Sequence, residues 1–203
     1  MLINPIEFTF TPDITAVNKQ QFDEHLKLYN NYVKSINEIT NELVTLNNEE
    51  REKANTTNGY FRGLKRGETY ALDGVILHEL YFYNMGGIKS KPDCSILSLI
   101  EHFYGGFENW RADFIATAKA SRGWAILCYE QRTKMLRNIS LDAHDHGDIM
   151  MSLPLLILDM YEHAYFMQYG TNKESYIKAF LNNINWDIVR NRVNLWHLDE
   201  ETK

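Results

Sequence analysis

A short apolar run, Leu155 to Leu158, leads directly into Asp159 and, four residues on, His163. Such a run predicts burial, and it carries a carboxylate inward with it. An ionised carboxylate in an apolar interior is costly unless a cation or strong donors face it. Asp oxygen and His nitrogen are both good ligands for first-row metals, so a metal ion is the natural compensator. One Asp/His pair does not make a site. The chain must fold so that other segments bring the missing partners to the same place.

Seven histidines are available: His25, His78, His102, His144, His146, His163 and His197. His25 lies within residues 16–48, where Phe22, Leu26, Tyr29, Val33 and Ile36 recur at 4-3-4-3 spacing, with Leu43 beyond. That period predicts one long helix with a core-facing stripe, and His25 sits one turn from Phe22 and from Tyr29. His78 sits between Leu77 and Leu80 in a second helix, read from about Glu68 to Met85 and ended by Gly86 and Gly87. Either histidine alone reads as a core residue satisfied by a hydrogen bond. Two inward histidines on adjacent helices, added to Asp159 and His163, offer three imidazoles and one carboxylate. Structural zinc more often uses Cys, so this set suits iron or manganese with a position left for solvent.

The organisation follows from the periods. Two long helices joined by the polar loop Asn47 to Gly59 predict an antiparallel helical hairpin. The stretch from Lys89 to Pro92 is the boundary, giving a hairpin domain over residues 1–88 and a second domain over 89–203. In the second, Ile96–Ile100 and Phe107–Lys119 read as helices. Trp124–Tyr129, Met135–Ile139 and Pro154–Asp159 read as strands, and residues 173–184 and 186–195 as closing helices. The fold class is α+β, a helical hairpin followed by a mixed α/β domain with a three-stranded antiparallel sheet.

With 21 Lys and Arg against 27 Asp and Glu, the net charge of −6 leaves no basic footprint for nucleic acid. No apolar run approaches the roughly 20 residues of a membrane span. The N-terminus lacks the pattern of a signal peptide, and Cys94 and Cys128 show neither metal spacing nor a disulfide framework. A cytoplasmic protein is the expectation.

The run from Asp159 to Tyr165, DMYEHAY, resembles the D-V-W-E-H-A-Y signature of the iron/manganese superoxide dismutases. The resemblance extends over nearly the whole chain, through HLKLYNNYVKSINEI, DGVILHELYFYNM, GGFENWRADFIATAKASRGWAIL and NKESYIKAFLNNINWDIVRNR. It implies one iron or manganese ion per subunit, held by His25, His78, Asp159 and His163, and superoxide as the substrate. It implies a gateway hydroxyl from Tyr32, with Tyr29 as the alternative, and His144 as the outer polar group facing solvent at the metal. Trp124, Tyr161, Tyr81 and Phe82 would wall the site, and Arg192 and Lys173 would be cations near it. It also implies a homodimer, in some members a tetramer, with Glu162, His163 and Tyr165 at the interface.

The chain departs from the family pattern in its first helix. His25 and Tyr32 are seven residues apart where the family has eight, so an alignment on Tyr32 places Glu24 in the ligand slot. Seven residues return a helix of about 3.6 residues per turn nearly to one face, which favours His25. Gly74 occupies the position from which iron-type members supply a Gln, and the segment Asp142 to His146 is the substitute, through His144; His146 reads as outer shell or surface. Two competing readings are a non-catalytic metal-binding relative and a mononuclear iron oxygenase with two His and one carboxylate.

Overall fold

The computed structural model describes residues 2–87 and 90–198. α1 (Lys19–Thr45) and α3 (Tyr60–Tyr83) form the expected hairpin. Their direction is antiparallel, because His25 meets His78, a Cβ on Gly74 would meet Tyr32, one on Gly67 would meet Ile39, and Tyr60 hydrogen-bonds Glu42. α1 begins where the Asn18 side chain accepts from the backbone N–H of Gln21. It stays α-helical throughout, with Phe22, His25, Tyr29, Val33 and Ile36 buried along one stripe.

Two boundaries differ from the sequence reading. α3 starts eight residues before Glu68, at Tyr60. Gly63 and Gly67 look like helix breakers in sequence, but Gly67 lets Ile39 of α1 approach to within 3.1 Å of where its Cβ would stand. The loop after α1 contains a five-residue helix, α2 (Asn48–Glu52), capped by Asn47. The expected domain boundary falls at Ile88 and Lys89, which lie outside the described residues.

α4 (Cys94–Tyr104) and α5 (Phe107–Ala120) precede the sheet. β1 (Trp124–Glu130) is its centre, flanked by β2 (Met135–Leu141) and β3 (Ser152–Asp159), both antiparallel to it. Every residue of β1 is buried, as are Leu155–Asp159 of β3. The β1–β3 register shifts between Leu127 and Cys128, which oppose Leu156 and Pro154, so Leu155 bulges out. Arg192 donates to the Leu155 carbonyl at 2.7 Å, satisfying it. A 3₁₀ turn (Glu162–Ala164) and α6 (Phe166–Tyr169) follow the sheet, then α7 (Lys173–Leu181) and α8 (Trp186–Leu195). Among the described residues no helix is long and apolar enough to cross a membrane.

Two buried asparagines lock these parts together. Asn84, at the end of α3, accepts from the backbone N–H of Ile157 in β3 at 3.1 Å and from Arg192 at 3.0 Å. Asn183 accepts from the N–H groups of Thr15, Ala16 and Gly86 at 3.0, 3.2 and 3.2 Å, and donates to the Asp13 carbonyl at 2.8 Å. It therefore ties the N-terminal segment, the end of α3 and the α7–α8 turn at one point. Asn183→Ala leaves three backbone donors without their acceptor, and at roughly 1 kcal/mol each the expected loss is about 3 kcal/mol. Urea unfolding should show a lower midpoint at unchanged slope.

Candidate metal centre

His25 from α1, His78 from α3, Asp159 from the end of β3 and His163 from the 3₁₀ turn converge on one point. One ligand atom from each lies within 4.8 Å of the others. The Nε2 atoms of His25, His163 and His78 stand 3.0, 3.2 and 3.8 Å from the same carboxylate oxygen, Oδ2 of Asp159. The other oxygen, Oδ1, accepts from the Tyr161 backbone N–H at 2.9 Å, which fixes the carboxylate with Oδ2 turned inward. His78 donates from Nδ1 to the Gly74 carbonyl at 2.6 Å, so its Nε2 carries a bare lone pair. The Nε2 atoms of His25 and His78 are buried and have no hydrogen-bond partner among the described residues.

That donor set fits a metal ion. A buried ring nitrogen without a partner costs about 1–3 kcal/mol, and two such atoms beside one carboxylate oxygen gain partners together from a single cation. The electrostatics agree. Burial pushes the Asp159 carboxyl up, but His163 and then His25 outweigh it and hold the group well below the usual carboxylate range. Burial pulls His25 down, and it pulls His78 well down with help from His25. His163 is raised, because the charge and hydrogen bond of Asp159 outweigh its burial.

The positions of these side chains follow from local structure. β1 pairs Trp124 with Asp159, so the centre of the sheet delivers the carboxylate and an indole side by side. Gln21 of α1 donates to the His163 carbonyl at 2.5 Å and accepts from the Met167 N–H at 3.1 Å, clamping the 3₁₀ turn to the first helix. Tyr176 donates to the Asp159 carbonyl at 2.9 Å and contacts the Tyr81 hydroxyl at 3.0 Å. The rings of Tyr81 and Phe82 lie 5.1 and 5.2 Å from His25, Trp124 lies 5.1 Å from His78, and Tyr161 stacks on His163 at 5.1 Å. The expected aromatic wall is therefore present.

Beside the cluster runs a polar chain. Trp124 donates from Nε1 to Nδ1 of His144 at 2.9 Å. Indole can only donate, so neutral His144 carries its proton on Nε2 and donates it to the Tyr32 hydroxyl oxygen at 2.8 Å. Burial pulls the His144 imidazole down to about 4, which keeps it neutral near pH 7. Gly74 makes room for Tyr32, since a Cβ there would stand 2.9 Å from the phenol ring.

Other candidates lie elsewhere. Tyr29 donates to Glu79 at 2.8 Å and accepts from the Ile6 N–H at 2.7 Å, so its hydroxyl is bound to the N-terminal segment and α3. Glu24 is exposed and pairs with Lys27 at 2.6 Å. His102, His146 and His197 are exposed. Arg192 is buried, with its guanidinium on Asn84 and on the Leu155 and Leu80 carbonyls, and Lys173 donates to the Ser121 carbonyl at 2.7 Å. Both cations join structural segments. The sequence reading missed Gln21 and also Tyr70, whose ring lies 4.6 Å from His144. Tyr70, Gly74 and His78 share helical i, i+4, i+8 spacing on α3, which is the signal that marks it.

Two outcomes are expected. His25→Ala should lose metal on elemental analysis while Glu24→Ala retains it. For the metal-free protein the sign of the pH dependence follows from the imidazoles. His25, His78 and His144 are lowered, so each contributes stability that is full above the unfolded value of about 6.5 and lost as pH falls. His163 is raised and acts oppositely, its contribution being lost as pH rises through its folded value. Three lowered rings against one raised ring predict a lower thermal midpoint at about pH 5 than at about pH 7.5.

Residues 92–192 match the family described as "Iron/manganese superoxide dismutases, C-terminal domain". The chain is 36% identical over 192 residues to superoxide dismutase [Fe] of Aquifex aeolicus, covering 94% of this chain and 90% of that one. It is 36% identical over 185 residues to superoxide dismutase [Fe] of Cupriavidus metallidurans, covering 88% and 89%. To superoxide dismutase [Mn] 1 of Halobacterium salinarum it is 39% identical over 122 residues, or 59% and 60%. Together with the histidine and aspartate cluster, these likenesses mean that the chain belongs to the iron/manganese superoxide dismutase family.

Proposed function

We propose that this protein is a superoxide dismutase that uses an iron or manganese ion held by His25, His78, Asp159 and His163. The observation that carries the reading is the convergence of three Nε2 atoms on Oδ2 of Asp159, two of them buried and without partners. The ion, when bound, supplies the one-electron exchange by which one superoxide becomes O₂ and the next becomes peroxide. The residues around it do the rest. Tyr81, Phe82, Trp124 and Tyr161 keep bulk water from the ligands, which strengthens every charge interaction there. Two superoxides and two protons give O₂ and H₂O₂, so protons must reach the site. Tyr32 is the gateway hydroxyl. His144 is the outer polar group, and by donating to Tyr32 it orients that hydroxyl.

The working form is a homodimer joined through Glu162, His163 and Tyr165. His163 supports this, as its side chain keeps 26% exposure where His25, His78 and Asp159 keep 2% or less. Glu162 next to it is exposed, and Phe166 and Met167 add apolar surface that is 48% and 53% exposed. Tyr165 lies behind, stacked on Tyr176 at 5.1 Å. The free thiols Cys94 and Cys128 fit a reducing cytoplasm.

Protein loaded with iron or with manganese should suppress cytochrome c reduction by xanthine oxidase far beyond the free ion at equal concentration. Activity no greater than that of the free ion overturns the reading. On sizing, the wild type should run as a dimer and Glu162→Ala should shift toward monomer.

A further inference from the structure

The layer around His144 is built of residues that metal-ligand chemistry does not require. His144 is surrounded by three tyrosine rings: Tyr70 at 4.6 Å, Tyr32 at 4.8 Å and Tyr161 at 5.1 Å between centroids. They form an outer layer over a buried imidazole. Tyr32 and Tyr161 are part-buried, whereas Tyr70 is 37% exposed. Tyr70 is therefore the member that faces solvent.

Its ring also stands 6.1 Å from that of Tyr32, edge to face. Burial first, and the neighbouring Tyr70 phenol after it, favour the protonated form of Tyr32 and Tyr161. The Tyr32 oxygen already accepts from His144, so its own O–H remains available as a donor. The backbone beneath Tyr70 is anchored. Thr69 hydrogen-bonds Asp145 at 2.9 Å, tying this turn of α3 to the segment that carries His144. A ring in that position is carried by a helix turn that is itself anchored.

We propose that Tyr70 is the gate of the site: its ring closes the opening over His144, and its hydroxyl latches that ring to Tyr32 and Tyr161. The gate sets a size limit. An anion of two or three atoms passes beside the ring, and a bulky anion does not. Tyr70 is a positioning residue and takes no part in the redox chemistry. The inference rests on the dismutase reading of the cluster beneath it.

Two substitutions separate the ring from the latch. Tyr70→Phe keeps the ring and removes the hydroxyl; Tyr70→Ala removes both. The first readout is the rate at which a chelator extracts the metal from fully loaded protein. The expected order is wild type slowest, Tyr70→Phe faster and Tyr70→Ala fastest. A Tyr70→Phe rate equal to wild type overturns the latch, and a Tyr70→Ala rate equal to wild type overturns the gate. The second readout is inhibition by azide and by benzoate. In Tyr70→Ala the benzoate inhibition constant should fall at least about tenfold, the scale on which a cavity's size discriminates, while that of azide stays near wild type. Equal changes for both anions mean general loosening and overturn the size limit. A wild-type protein that holds metal at this cluster yet does not dismute superoxide overturns the functional reading instead. The extraction rates still test the gate in that case.

Discussion

The structure depends on one buried carboxylate oxygen. Asp159 Oδ2 lies at the end of the most deeply buried edge of the sheet, and three imidazole nitrogens from three other elements face it. Nothing in that arrangement is comfortable on its own terms. The carboxylate is desolvated, and two ring nitrogens have no partner. A cation resolves both problems together, so binding and folding are coupled through the same atoms. The two long helices contribute one ligand each, and the sheet and the turn after it contribute the others. A metal ion held by this cluster would join the hairpin to the α/β part of the chain.

The supporting contacts act at a distance. Asn84 and Arg192 satisfy the outward N–H of Ile157 and the bulged carbonyl of Leu155, which sets β3 in place just before Asp159. Gln21 fixes the turn that carries His163, and the Gly74 carbonyl fixes the ring of His78. The ligands are thus oriented through backbone groups as much as through side chains. Arg192 shows how charge can mislead. Its type suggests attraction of an anion, but its guanidinium is enclosed by carbonyl groups and serves the frame.

Much of this was legible in the residues. The 4-3-4-3 stripe from Phe22 to Ile36 has one physical meaning, and α1 follows it. Helix geometry also separates His25 from Glu24, because a regular helix turns His25 inward and leaves Glu24 in solvent beside Lys27. The start of α3 was hidden, since Gly63 and Gly67 weaken local propensity and the close approach of Ile39 is a tertiary fact. The turn and short helix after Asp159 were hidden too, because three or four residues cannot show a period. Tyr70 was passed over for another reason: its i, i+4, i+8 spacing with Gly74 and His78 marks a shared helix face, but not which ring an exposed tyrosine covers.

Gly74 joins two features that look separate in the chain. The position at which the family resemblance leads one to expect a polar side chain is glycine in this protein, and the ring of Tyr32 rests against it. A side chain there and Tyr32 in its present pose exclude each other by volume. The polar group that meets Tyr32 is His144, which donates to its hydroxyl at 2.8 Å. Glycine at 74, tyrosine at 32 and histidine at 144 are thus one choice rather than three, and moving between the two designs requires steps that pass through a collision or an empty space.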